Sequence, residues 1–349
     1  MSRGLVIYGA TGYTGRLIAE RAKAEGFSPV LAGRDGGKLL KLAARLGFDA
    51  RTAHLDNPKS LDALLEDAGV LLNAAGPFSV TAGPLIDACL RSGTHYLDIT
   101  DELSVLDACA ARDAEARQAG IMLMPGCGFD VVPSDCLAAH VVAKLEDTSK
   151  LFVAIRGLGK TSRGTRRTLI ESLSRGTRVR RRGKIVALWR APLRELDFGD
   201  GARRVRAVGW GDVVTAFHST GVPDIECYVD GSKGFLRINA LNRRLGLLLR
   251  TPALKWLLKT WVLFGRDGPT ADQRGKSRAV FLVEAENKAG AHKKARLDTP
   301  EGYTLTAMTA MEIARRALKG EASSGFQTPS RVFGPDFILG FPGIARRDL

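Results

Sequence analysis

Three glycines stand at the spacing that lets a chain wrap a pyrophosphate, in Gly9-Ala10-Thr11-Gly12-Tyr13-Thr14-Gly15. In such a turn the first glycine permits the reversal, the second lets backbone approach the phosphates, and the third lets the following helix pack closely. The free N–H groups and partial positive charge of that helix start then face the anion. The chemistry this arrangement sets up is the holding of a dinucleotide. The next apolar run closes on Ala32-Gly33-Arg34. An acidic side chain there would bond a ribose hydroxyl and repel a phosphate, whereas Arg34 is a permanent cation whose planar fork suits a 2′-phosphate. Arg34 therefore favours NADP(H) over NAD(H), and Asp35 beside it pulls the other way. Asp56 is placed to approach the adenine, and Ala74, Ala75, Gly76 and Pro77 offer small surfaces against which a flat cofactor can lie.

Hydride transfer also needs a group that delivers or accepts a proton. Two stretches hold candidates: Asp98, Thr100, Asp101 and Glu102, then Cys127, Asp130, Ser134 and Asp135. The catalytic candidates are Asp130, able to give a proton if burial raises its pKa, Cys127 as a polarizable neighbour of the ring, and Asp101. Structural roles compete with each. Asp101 can cap a helix starting near Leu103, Ser134 one starting near Asp135, and Cys127 can be a small buried side chain. No tyrosine has a lysine four residues later, so the proton relay of short-chain dehydrogenases is absent. Neither GxSxG nor GxxxxGK[ST] occurs, which removes hydrolase and nucleotide-triphosphatase readings.

Alternating elements are needed to position these residues. Apolar runs at 5–8, 29–32, 51–55, 70–73, 95–98 and 121–124 alternate with helical patterns at 17–22, 39–46, 61–68, 84–92 and 103–119. Strands apolar enough for burial on both faces, alternating with helices, predict a Rossmann doubly wound parallel sheet, with ligands at the carboxyl ends of its strands. Beyond Pro125 the texture changes. Segments 205–216 and 278–286 alternate like antiparallel strands, predicting a second, α+β domain, and 304–318 reads as a helix.

A length of 349 residues exceeds what one core usually serves, which agrees with two domains. Five cysteines, never spaced CxxC, and five histidines argue against a zinc site or a disulfide framework, so no metal is expected. With no export signal at the start and no apolar run long enough to span a bilayer, a cytoplasmic protein is expected. The net charge of +15 is unevenly spread: residues 1–150 carry 15 Lys+Arg against 19 Asp+Glu, leaving 37 against 18 for the rest. The basic stretch 178–184 can grip an acidic substrate or coenzyme A phosphates, but no aromatic residue is interleaved with it, and no specific nucleic acid is expected. Segment 245–265 mixes leucines, Trp256, Trp261 and Phe264 with Arg250, Lys255 and Lys259. Such a helix lies in a membrane interface, lines the entrance for a lipid-like substrate, or packs into a core or homodimer interface.

Taken together, 9–15, Ala-Gly-Arg-Asp at 32–35, Asn-Ala-Ala-Gly-Pro-Phe at 73–78, His-Tyr-Leu-Asp at 95–98 and Pro-Gly-Cys-Gly-Phe-Asp-Val-Val-Pro-Ser-Asp at 125–135 resemble the saccharopine dehydrogenase-like oxidoreductases. Within that family the chain is most similar to the bacterial branch that includes trans-acting enoyl reductases of lipid metabolism. The resemblance covers residues 1 to about 140 and returns weakly at 325–330. It implies reduced NADP as hydride donor, an N-terminal Rossmann domain, a second domain on a mostly antiparallel sheet, and a C-terminal segment that rejoins the first. The expected division is an NADP-binding domain over 1–125, rejoined by 303–349, and a substrate and dimerisation domain over 126–302. The expected activity is reduction of a C=C, C=O or C=N bond in a small apolar or acyl substrate. The competing class is a non-catalytic dinucleotide-binding or membrane-surface protein that retains the fold.

Overall fold

The computed structural model describes residues 4–172, 177–230, 251 and 267–349, and the chain divides into two units. The first comprises Met1–Val132 and Gly302–Phe341, the second Pro133–Glu301 and Pro342–Leu349.

In the first unit, β1 (Gly4–Tyr8), β2 (Val30–Gly33), β3 (Ala50–Thr52), β4 (Ala68–Asn73), β5 (His95–Asp98), β6 (Met122–Met124) and a two-residue β15 (Gly325–Phe326) form one sheet. Their order is β15-β6-β5-β4-β1-β2-β3, and every pairing is parallel. Leu5, Val6, Ile7, Val70, Leu71 and Leu72 are all buried, as strands covered on both faces must be. The chain reverses its winding between β1 and β4, which opens a crevice at the carboxyl edge. Helices α1 (Tyr13–Ala24), α2 (Gly36–Leu46), α3 (Pro58–Leu65), α4 (Phe78–Ser92), α5 (Leu103–Ala111) and α6 (Asp113–Gln118) fill the crossovers. Their ends follow local chemistry. Asp35 accepts from the Lys38 N–H to start α2, Gly47 ends it at φ 75°, and Asn57 caps α3 with Pro58 in its first turn. The single helix expected over 103–119 is two, broken at Arg112, whose guanidinium bridges Asp87 and Glu115.

In the second unit, α7 (Val132–Val142), α8 (Arg163–Ser172), α9 (Asp212–Thr220) and α10 (Ala271–Lys276) accompany β7 (Thr148–Arg156), β8 (Thr177–Arg181), β9 (Lys184–Leu188), β10 (Leu193–Asp197), β11 (Ala202–Val208), β12 (Asp224–Asp230), β13 (Arg278–Asn287), β14 (His292–Pro300) and β16 (Ala345–Asp348). The sheet runs β10-β11-β12-β7-β13-β14-β16 and is antiparallel except between β12 and β7; the β8–β9 hairpin joins β12. Of the segment expected as a strand over 205–216, only the part up to Val208 is extended. Gly209 and Gly211 interrupt it, and Asp212 begins α9.

The tail differs from expectation. α11 (Gly302–Leu318), β15, α12 (Pro329–Phe333) and a 3₁₀ turn (Phe337–Gly340) lie in the first unit, but residues 342–349 do not: β16 pairs with β14, and Asp348 binds His140 and Lys144 at 2.9 and 2.5 Å. Two arginines of the 178–184 stretch are structural. Arg180 is buried with its guanidinium 3.9 Å from the Phe217 ring centroid, and Arg181 pairs with Glu226. The five cysteines are free and buried. Segment 245–265 lies outside the described residues apart from Thr251, and among the described residues no helix is long and apolar enough to cross a membrane.

Candidate functional site

At the end of β1 the Gly9 N–H donates to the Ala32 carbonyl at 2.8 Å, which seats the turn on β2. Gly9 has φ 81°, and a Cβ there would lie 2.7 Å from the Ala75 backbone nitrogen. Only glycine allows both the left-handed backbone and the approach to the β4 loop. A Cβ on Gly15 would press on the Gly9 carbonyl and stand 2.9 Å from Ala10 Cα, so the third glycine lets α1 abut the turn. Gly12 is exposed at the start of α1, and no side chain caps this helix. Its first-turn N–H groups are thereby directed at the edge where a pyrophosphate would lie. Thr11, Tyr13 and Thr14 are half-buried around them. The result is a cradle shaped by three absent side chains, and it fits a dinucleotide.

Arg34 follows β2 exposed to solvent and makes no hydrogen bond or ion pair among the described residues. Asp35, its acidic rival, is engaged otherwise: its carboxylate accepts from the Lys38 N–H at 3.1 Å and pairs with the Lys38 ammonium at 2.8 Å, which holds its pKa below the usual range. The Arg34 guanidinium and the exposed Asp56 both act electrostatically on Tyr8, whose hydroxyl donates to the Ala53 carbonyl at 3.0 Å. Burial is the larger influence and raises the Tyr8 pKa.

The β4 loop is held by Asn73, which is fully buried. Its Oδ1 accepts from the Ala75 N–H at 2.9 Å, and its Nδ2 donates to Thr81 Oγ1 at 3.0 Å and to the Tyr96 hydroxyl at 3.2 Å. Thr81 in turn donates to the Ala75 carbonyl at 2.7 Å, and the Ala74 N–H donates to the Tyr8 carbonyl at 2.8 Å. Ala74 and Ala75 are half-buried, Gly76 is exposed, and the Gly76–Pro77 peptide is cis. Glu102 caps α4 by accepting from the Phe78 and Ser79 N–H groups at 2.8 and 3.0 Å.

Asp98 ends β5 fully buried. Its Oδ1 accepts from the Thr100 and Gly126 N–H groups, each at 2.9 Å, and its Oδ2 from the Tyr96 hydroxyl at 2.8 Å. Burial pushes its pKa up to about 6, opposed by these hydrogen bonds. Asp101 is half-buried and makes no hydrogen bond or ion pair to another residue among the described residues. Burial and then the adjacent Glu102 charge raise it to about 6. It does not cap α5, whose cap position is Glu102. The Cys127 thiol is fully buried, donates to the Met124 carbonyl, and is kept protonated by burial. Asp130 is half-buried in the turn before α7. Ser134 lies inside α7 rather than capping it, and Ser134 and Asp135 belong to the second unit.

The first unit thus brings together 9–15, Arg34, 74–77, Asp98, Asp101 and 126–130. The sequence offered a helix over 304–318 and the resemblance returned it to this domain, but no residue of α11 was foreseen at this edge. Tyr303 meets Tyr13 edge to face, with ring centroids 5.0 Å apart, Thr306 Oγ1 accepts from the Phe129 N–H at 3.0 Å, and Thr309 donates to the Cys127 carbonyl at 2.8 Å. No local signal announces contacts across so many residues. The linking role of Asn73, Tyr96 and Asp98 was signalled only by their presence in two of the recognised motifs.

Residues 5–124 match the family model for the saccharopine dehydrogenase NADP binding domain. The chain is similar to a trans-acting enoyl reductase of Mycobacterium leprae, 37% identical over 139 residues that make up 38% of this chain and 33% of the relative. It is also similar to a saccharopine dehydrogenase-like oxidoreductase of Bos taurus, 31% identical over 164 residues, 41% of this chain and 38% of the relative. The aligned parts thus span well under half the length of these relatives. Its fold matches that of the saccharopine dehydrogenase (L-Glu forming) of Saccharomyces cerevisiae with a TM-score of 0.66 at 13% identity, covering 99% of this chain and all of the other. Residues 5–124 are thus similar to an NADP-binding domain of the saccharopine dehydrogenase type, and the matched proteins are oxidoreductases.

Proposed function

We propose that the protein is an NADP(H)-dependent reductase of a C=C, C=O or C=N bond in an apolar or acyl-type substrate. The observation that carries the cofactor choice is the contrast at the end of β2: Arg34 is exposed and makes no hydrogen bond or ion pair among the described residues, while Asp35 caps α2 and pairs with Lys38. A 2′-phosphate would meet a guanidinium with its donors available, and the carboxylate that would favour the bare ribose is already engaged by Lys38. When bound, the cofactor supplies the hydride. The chain's own part is to hold the pyrophosphate on 9–15, to support the flat ring against Ala74 and Ala75, and to handle a proton. Asp101 suits the last task. It is half-buried, makes no hydrogen bond or ion pair to another residue among the described residues, and is raised to about 6, so it is mostly ionised at neutral pH but can take up and give back a proton there. The acyl-type substrate is supported by similarity to the mycobacterial enoyl reductases.

Calorimetric titration with NADPH and NADH tests the reading. NADPH binds more tightly in the wild type, and Arg34→Ala weakens NADPH by about 10–100-fold, as expected for one lost charge-assisted contact, with little change for NADH. Equal losses for both cofactors would remove the 2′-phosphate role of Arg34.

A further inference from the structure

The cofactor edge of the first unit contains one continuous hydrogen-bond chain with a fixed direction. The Thr81 hydroxyl donates to the Ala75 carbonyl; Asn73 Nδ2 donates to Thr81 and to the Tyr96 hydroxyl; Tyr96 donates to Asp98 Oδ2; and Asp98 Oδ1 receives the Thr100 and Gly126 N–H groups. Asn73, Thr81, Tyr96 and Asp98 are all buried, so no water replaces a lost partner cheaply. Gly126 is fixed from its other side too: at φ 78° it turns so tightly that a Cβ would stand 2.6 Å from the Val131 side chain.

We propose that Asp98 is the positioning residue of this site, setting the 126–130 turn against the 74–77 loop through Tyr96 and Asn73, and that only its carboxylate form does so. The Tyr96 oxygen already accepts from Asn73, so its proton needs an acceptor at Asp98 Oδ2. A protonated acid or an amide there presents a second donor, and the link between the loops is lost. The ionisable groups facing Asp98 are Tyr96 on β5, Glu102 at the start of α5, Cys109 on α5 and Cys127 after β6. Burial keeps Tyr96 and both thiols protonated, and Glu102 is occupied in capping α4. Asp98, which burial raises to about 6, is then the member of this hydrogen-bond network that changes charge in mildly acidic solution.

The test compares NADP⁺ binding by wild type and Asp98→Asn between pH 7.5 and 5, and this readout rests on the NADP reading above. Because the 2′-phosphate itself titrates near pH 6, the ratio of the two dissociation constants is the quantity to follow. The variant binds about tenfold more weakly at pH 7.5, and the ratio falls toward one at pH 5 as wild-type Asp98 protonates. A ratio that is one throughout, or independent of pH, overturns the proposal. Amide hydrogen exchange supplies a readout free of the cofactor. Asp98→Asn and Tyr96→Phe each speed exchange at Ala75 and Gly126 together while β1 stays protected. Unchanged protection at Ala75 in both variants overturns the proposal even if NADP⁺ binds neither protein, a result that would refute the cofactor reading separately.

Discussion

Asp98 in the first unit and Asp212 in the second are both fully buried carboxyl groups, and the chain treats them differently. Asp98 accepts three hydrogen bonds, two of them from backbone N–H groups, and sits at about 6. Neither oxygen of Asp212 has a hydrogen bond of normal geometry, although the Ser134 hydroxyl lies near enough to act on it; burial comes first and the Asp135 charge adds to it, pushing the group up to about 8. The difference teaches that depth alone does not set the charge of a buried acid. Backbone donors aimed at Asp98 offset much of the desolvation, and at Asp212 little does. One acid is therefore ionised at neutral pH, and the other holds a proton.

The comparison can be broken most sharply at Asp212. Its folded pKa lies above the unfolded value, so its contribution to stability is fully present below about pH 4 and is lost as pH rises toward 8. Asp212→Asn should raise the unfolding free energy by something on the order of 4 kcal/mol at pH 8 and leave it unchanged near pH 4, measured by urea denaturation at both values. A gain that ignores pH would mean that Asp212 is not charged at the cost of the fold. At Asp98 the same change relieves a smaller burial penalty and breaks the link to Tyr96, so Asp98→Asn should remain within about 1 kcal/mol of wild type at pH 8. Matching gains at the two positions would erase the distinction. The smallest effect belongs to Asp35, a surface carboxylate whose pKa is lowered rather than raised. Asp35→Ala should lower the melting temperature by at most a few degrees through loss of the α2 cap, and should leave NADP⁺ affinity intact. A marked change in the NADPH to NADH preference would instead return Asp35 to the role of ribose reader.

Much of the first unit was legible because its signals are local. The glycines of 9–15 declare a tight turn, Leu5 to Tyr8 and Val70 to Asn73 declare buried strands, and the structure places Arg34 at the β2 end where the motif puts it. What escaped was interaction between distant stretches. Cys127 was open to two readings, a polarizable neighbour of the ring or a small buried side chain, and the structure encloses its thiol and uses its carbonyl to hold Thr309. Asp35 looked like a competitor of Arg34 until the helix after it supplied Lys38 and a free N–H. In the second unit the arginines at 180 and 181 read as an open basic patch, because their partners Phe217 and Glu226 lie on α9 and β12. Charge in a sequence shows supply, and only the fold shows what has already been matched.

The long helix α11 has a consequence for how the chain is made. Leu305, Met308, Met311 and Ile313 are buried in the first unit, and the helix grips the 127–129 turn through Thr306 and Thr309. A ribosome delivers these residues only after the whole of Pro133–Glu301 has emerged. The domain that begins first is therefore completed only after most of the second has been made, and until then the nascent chain carries an uncovered apolar sheet face. A fragment ending at residue 132 would keep that exposure permanently, whereas a rearranged chain that places 302–341 directly before the N-terminal strand would make the same domain in one stretch.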